Sequence, residues 1–197
     1  KVTPSEVKQF FNKIPKDSLP YFSTEVQVGQ LVMKPEPGAE QLGKVERQLL
    51  EIRGKILRGT ETFENMARRY SEDPGSGSRG GQLPFYKRGE LAPEFEESAM
   101  TIEVGELSMP VKSDFGYHLI ELQERRGNTF RSRHILIIPK PSADDINVAE
   151  NKLDSIRNLI LDSLTNFRVA AKEFSADKET ASNGGFYTGP DGSVRVS

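Results

Sequence analysis

Residues Ser71–Glu97, SEDPGSGSRGGQLPFYKRGELAPEFEE, are the stretch on which a reading of this chain turns. Asp73 stands at the end of a helical pattern, and four of the next seven residues, Pro74 to Gly80, are Gly or Pro. An apolar run, Leu83-Pro84-Phe85-Tyr86, follows. The chain then turns at Lys87-Arg88-Gly89 and enters a short helix carrying Leu91 and Phe95. A Gly-rich loop that hands over to clustered apolar residues suits the floor and lip of a groove. The same pattern also describes a long surface loop with a local hydrophobic anchor.

Working outward, 197 residues with 35% hydrophobic and 28% charged side chains read as one large or two small globular domains. A net charge of −2, with acidic and basic residues intermixed, leaves no footprint for nucleic acid or anionic lipid. No apolar run approaches the roughly 20 residues needed to span a bilayer. No basic-then-apolar leader precedes Val2, so a signal peptide is expected to lie outside this stretch. Cysteine is absent, which excludes disulfides, thiolate catalysis and Cys-based metal sites and is compatible with an oxidising compartment. His118 and His134 are too few and too isolated to suggest a metal site.

Thr3-Pro4-Ser5-Glu6 predicts a capped helix to about Asn12, followed by an extended link from Pro15 to Pro20. Val26 to Met33 reads as a strand. Leu42, Val45, Leu49, Ile52 and Ile56 mark a helix over Glu40–Arg58, and Thr62–Tyr70 a shorter one. Pro93–Met100 reads as a helix, and Tyr117–Gln123 as a strand after a turn at Gly105 and a short Met109–Lys112 segment.

The pattern recurs without a gap at a shift of 104 positions. Val28–Met33 falls on Ser132–Ile137, and the long helical stripe falls on Ile146, Ala149, Leu153, Ile156 and Ile160. Phe63, Ala67, Ser71, Asp73, Gly80 and Gly81 fall on Phe167, Ala171, Ser175, Asp177, Gly184 and Gly185. Chance aligns any two amphipathic helices somewhere, but not strand, two helices, Ser-x-Asp and Gly-Gly in one register. The expectation is a duplicated domain: an N-terminal helical segment and linker over 1–25, a first copy over 26–127, and a second over 128–197. The second copy has only Phe186 to Ser197 after its Gly-Gly, so it reads as incomplete.

The motifs Ser71-Glu72-Asp73, Gly80-Gly81-Gln82-Leu83, Arg88-Gly89-Glu90-Leu91, Pro93-Glu94-Phe95-Glu96, Pro110-Val111-Lys112-Ser113 and Phe115-Gly116-Tyr117-His118-Leu119-Ile120 occur in one order. Together they resemble a parvulin-type peptidyl-prolyl cis/trans isomerase across about Val26 to Arg125. The tandem arrangement is similar to SurA-like periplasmic foldases. The resemblance implies an α+β fold, a four-stranded antiparallel sheet surrounded by helices, duplicated with the second copy incomplete. It makes Leu83, Leu91 and Phe95 the apolar proline pocket and puts Asp73 in the family's central Cys or Asp position. His118 becomes one of two paired histidines, with Ser113 the hydroxyl beside it. The partner histidine belongs on the first strand, where the first copy has Gln30. The second copy has His134 there, together with Asp177, and Tyr187 or Phe186 in place of the pocket leucine. On this reading His134 does not serve the first copy.

No cofactor is implied, since rotation about a resonance-stabilised amide needs neither covalent chemistry nor a metal. The expected partners are unfolded or extended proline-containing polypeptides, with outer-membrane protein precursors one candidate class, in a periplasmic or otherwise exported location. Gln30 keeps a second reading open, a catalytically weak module that binds unfolded clients as a chaperone. A third is an inert structural spacer.

Overall fold

The computed structural model describes residues 2–15 and 26–188. The chain divides into two compact units, one formed by 35–152 and the other by 1–34 with 153–197.

The larger unit is built on a four-stranded antiparallel sheet in the order β1-β4-β3-β2. Its strands are β1 (Gln82–Lys87), β2 (Val111–Ser113), β3 (Gly116–Arg126) and β4 (Thr129–Ile137). Two helices cover one face. The first, α2 (Ala39–Leu57), buries Val45, Leu49 and Ile52 at helical spacing. The second, α3 (Phe63–Tyr70), is capped by Thr62, whose hydroxyl accepts the Asn65 N–H at 3.2 Å, and buries Phe63, Met66 and Ala67. They enclose Leu119, Ile135 and Ile137 from the sheet. The opposite face takes α4 (Pro93–Thr101), with Pro93 in its first turn and Phe95 and Ala99 set against Ile120, Leu122 and Phe130. Each large apolar side chain so buried contributes roughly 1.5–3 kcal/mol.

β3 and β4 form a hairpin whose two-residue turn is Gly127-Asn128, with Arg126 paired to Thr129 and Gly127 at φ 53°. That turn holds β4 beside β3. The boundary expected between residues 127 and 128 therefore falls inside a hairpin, and β4, read from the repeat as the opening strand of the second copy, lies in the sheet of the larger unit. The other elements expected within this unit agree with the sequence reading to within a few residues.

In the smaller unit, residues 26–33 carry isolated bridges rather than the expected strand, among them one from Gly29 to Phe186. This segment lies along α6 (Phe167–Phe174) and α7 (Lys178–Ser182). The Gln30 N–H donates to Gly185 O at 2.7 Å, the Ala176 N–H to Val32 O at 2.7 Å and the Val32 N–H to the Ser175 hydroxyl at 3.2 Å. In the larger unit the His134 N–H donates to Gly81 O at 2.9 Å, the Glu72 N–H to Leu136 O at 2.7 Å and the Leu136 N–H to the Ser71 hydroxyl at 3.1 Å. Every partner is displaced by the same 104 positions. The duplication is thus visible in the hydrogen bonds, but each opening strand rests on the helices of the other copy. The helix α5 (Ala143–Leu161) buries Ile156. At the N-terminus α1 (Pro4–Lys13) has the expected capping box between Thr3 and Glu6 and buries none of its residues. Beyond Pro15, the extended link to Pro20 lies outside the described residues, as does the chain after Thr188.

Gly81 decides how closely β4 approaches. Its φ is +78°, and a Cβ there would lie 2.2 Å from the His134 carbonyl oxygen. Gly81→Ala is expected to lower unfolding stability by at least about 2 kcal/mol, combining left-handed strain with a backbone clash. Gly127→Ala, with nothing within 4 Å of the added carbon, should cost only about 1–2 kcal/mol. Urea unfolding of both variants measures the difference.

Candidate functional site

Alternation along the sheet aims the site. Ile120 pairs with His134 and His118 with Leu136, so the two histidines are diagonal neighbours on one face. Their rings lie nearly parallel, with Nδ1 atoms 3.2 Å apart and centroids 5.4 Å apart. At one end, His118 Nε2 meets the Ser113 hydroxyl at 2.7 Å. At the other, His134 Nε2 lies 3.1 Å from both Asp73 Oδ2 and Ser76 Oγ. Ser76 also donates to Asp73 Oδ2, while Asp73 Oδ1 accepts the Gly75 N–H at 3.2 Å in an Asx turn. The turn exists because α3 stops at Ser71, whose hydroxyl accepts the Leu136 N–H. Glu72 extends this clamp by accepting the Ile138 N–H and an ion pair from Lys140.

Phe95 sets its edge against both imidazoles, with centroids 5.4 and 5.5 Å away and interplanar angles of 87° and 78°. The Glu96 carboxylate accepts the N–H groups of Gly89, Glu90 and Leu91 at 2.8, 3.1 and 3.0 Å, which holds the Lys87–Leu91 turn. Leu91 then joins Leu83 and Tyr86 along the same side. The result is a groove of about 560 Å³, apolar along Leu83, Tyr86, Leu91, Phe95, Phe115 and Leu136 and polar at Asp73, His118 and His134.

With Asp73 ionised, the polar chain has one direction. Burial alone would raise the Asp73 carboxyl, but hydrogen bonds from Ser76, His134 and the Gly75 N–H outweigh it and hold the group below its ordinary range. An ionised Asp73 requires the proton of His134 on Nε2. His134 Nδ1 then accepts from His118 Nδ1–H, and His118 Nε2 accepts from the Ser113 hydroxyl. Burial pushes His118 down to about 4, with His134 adding to the shift and Asp73 opposing it. Burial also lowers His134, against the pull of Asp73. Both imidazoles are therefore neutral at pH 7.

Leu83, Leu91 and Phe95 meet at the groove, and Asp73, His118 and Ser113 belong to one hydrogen-bonded chain. His134, assigned by the repeat to the other copy, stands between Asp73 and His118, because β4 is held beside β3. Asp73 therefore reaches His118 only through His134. Gln30 lies elsewhere, in the smaller unit. Its amide donates to Asp177 Oδ2 at 2.6 Å and its oxygen accepts from the Tyr187 hydroxyl, while Thr180 donates to the same Asp177 oxygen at 2.6 Å. Ser76, Tyr86, Phe115, Leu136 and Glu96 were missed. The Asp-x-x-Ser spacing at 73–76 and the Gly-Asn hairpin signal at 127–128 were the available clues. Among the described residues, no group of three or more His, Asp or Glu side chains could hold a metal ion.

Residues 31–124 and 134–193 each match the rotamase family, described as the PPIC-type PPIASE domain. The chain belongs to this family. The foldase protein PrsA of Geobacillus kaustophilus is 34% identical over 125 residues, covering 64% of this chain and 38% of that protein. The chaperone SurA of Salmonella typhimurium is 32% identical over 172 residues, covering 83% and 40%. The crystal structure of the peptidylprolyl isomerase PrsA from Bacillus cereus is 26% identical with a TM-score of 0.39, covering 93% of this chain and 59% of that one. The chain thus spans well under half the length of these two curated relatives.

The neutral imidazoles have a consequence for stability. An unfolded chain protonates its histidines near pH 6.5, whereas folded His118 stays neutral to about 4. Between those values the unfolded state binds more protons, so stability is full above about pH 6.5 and falls as the pH drops. Urea unfolding at pH 7.5 and pH 5 should differ by about 1–3 kcal/mol, and His118→Asn should flatten the difference.

Proposed function

We propose that the groove of the larger unit is a peptidyl-prolyl cis/trans isomerase site acting on extended, proline-containing segments of unfolded polypeptides. The observation that carries this reading is the juxtaposition of an apolar floor, Leu83, Leu91 and Phe95, with the Asp73–His134–His118–Ser113 relay along one side. An amide rotation barrier of about 18–20 kcal/mol comes from resonance that places negative charge on the carbonyl oxygen. The prolyl ring sits on the floor with water excluded. An ionised Asp73 behind neutral imidazoles sets a negative potential at the groove wall. A planar amide whose carbonyl oxygen faces that wall is disfavoured relative to the twisted form, which carries less charge on oxygen. The site then binds the transition state better than either isomer.

A second reading, a chaperone that grips clients, is favoured by exposed apolar side chains. Phe115 and Ile138 line the groove and are exposed, as are Phe85 and Met109. The two activities are compatible, since holding an extended chain precedes turning its prolyl bond. Unfolded clients are the partners on either reading, outer-membrane protein precursors among them, and an exported location follows from the resemblance to SurA-like foldases.

Exchange spectroscopy on a proline-containing peptide with the full chain tests the assignment. His134→Gln and Phe95→Ala are expected to lower kcat/KM at least tenfold, a loss of about 1.4 kcal/mol or more in transition-state binding. Gln30→His should leave it within twofold, because Gln30 serves the smaller unit. A rise with Gln30→His, or turnover indifferent to His134, would overturn it.

A further inference from the structure

Ser76 is fully buried, lines no part of the groove, and contacts two members of the relay at once. Its hydroxyl donates to Asp73 Oδ2 and accepts from His134 Nε2–H at 3.1 Å. A serine whose only task was to shape the 73–77 turn could do so through its backbone, which already accepts the N–H groups of Arg79 and Gly81 at 2.9 Å.

The relay has two possible directions. With Asp73 ionised, protons sit on His134 Nε2 and His118 Nδ1, and Ser113 donates into His118 Nε2. An added proton that settles on Asp73 rather than on His118 turns that carboxyl into a donor to His134 Nε2. His134 then carries its proton on Nδ1 and donates to His118 Nδ1, while His118 carries its own on Nε2 and donates to Ser113. Each imidazole stays neutral, but the groups lining the groove change from acceptor to donor or the reverse.

We propose that Ser76 is a positioning residue that locks the relay in its first direction, by giving Asp73 a donor it needs only when ionised and giving His134 Nε2–H a second acceptor. The proposal deepens the isomerase reading above and rests on it for its functional meaning. The titratable groups facing this cluster are His134 and His118 from the sheet, with Glu72, Arg79 and Tyr86 on the groove wall. Glu72 is paired to Lys140, and Arg79 donates to the Gly75 carbonyl. The smaller unit offers an internal comparison. There Thr180, at the same offset, donates to Asp177 Oδ2, although Gln30, which has no tautomers, replaces the histidine. A threonine hydroxyl therefore fits this turn.

The experiment uses the full chain with Ser76→Ala, Ser76→Thr and Ser76→Cys. Ring-nitrogen ¹⁵N shifts of His134 and His118, followed against pH without substrate, report the tautomers directly. In the unsubstituted protein His134 should keep its proton on Nε2 from pH 8 through the protonation of His118 near 4. In Ser76→Ala Asp73 should take up its proton about one pH unit higher, the worth of a hydrogen bond to a charged group, so that it competes with His118 and the switch of His134 to Nδ1–H appears. The acid limb of kcat against pH should move with it at unchanged KM, and Ser76→Thr should restore both. If Ser76→Ala fails to fold, Ser76→Cys, a weaker donor of similar size, should show a smaller shift in the same direction. Unmoved tautomers and an unmoved limb in a folded Ser76→Ala or Ser76→Cys protein would overturn the proposal, as would failure of folded Ser76→Thr to restore them. The ¹⁵N result stands without turnover, so absent isomerase activity with a moved tautomer switch would count against the function and not against the role of Ser76.

Discussion

β4 is hydrogen-bonded along both edges, to β1 and to β3, so its side chains cannot slide without breaking two ladders at once. A slip of one residue would send His134 to the helical core and bring Ile135 into the groove. The register is fixed from three directions: by the Gly127-Asn128 turn, by Gly81 pressed against the His134 carbonyl, and by the Ser71 and Glu72 clamp on Leu136 and Ile138. The relay inherits its geometry from that ladder. His118 and His134 need no flexible reach to meet, because diagonal positions on adjacent strands already bring their rings together.

The surroundings then determine charge. Two imidazoles under Phe95, among Leu83, Leu91 and Leu136, lose most of their hydration, and burial favours their neutral forms. The carboxylate keeps its charge because Ser76, His134 and the Gly75 N–H all donate to it. Buried polar groups of this kind are costly when partly satisfied and rigid when fully satisfied. Here each member has a partner on either side.

Gln30 and His134 show how a repeat can mislead about proximity. The 104-residue shift identifies corresponding residues correctly, and the two sets of backbone hydrogen bonds match partner for partner. Correspondence does not say which strand docks on which pair of helices. A strand that precedes its helices and one that follows them through a tight hairpin offer the same edge and the same apolar face.

From its residues alone, this chain determined the helical stripes of α2 and α3, the cap at Thr3 and the Gly-rich loop after Asp73, all of which rest on spacings of a few residues. The grouping of Leu83, Leu91 and Phe95 and the neighbourhood of His118 and Ser113 came from the order of motifs that resembles the parvulin family. Only the tertiary structure decided that His134 completes the groove, that Gln30 and Asp177 meet elsewhere, and that Ser76 closes the relay. Those contacts join positions up to 147 residues apart, and apart from the Gly127-Asn128 turn the backbone ladders that select among equivalent strands leave little mark in local composition.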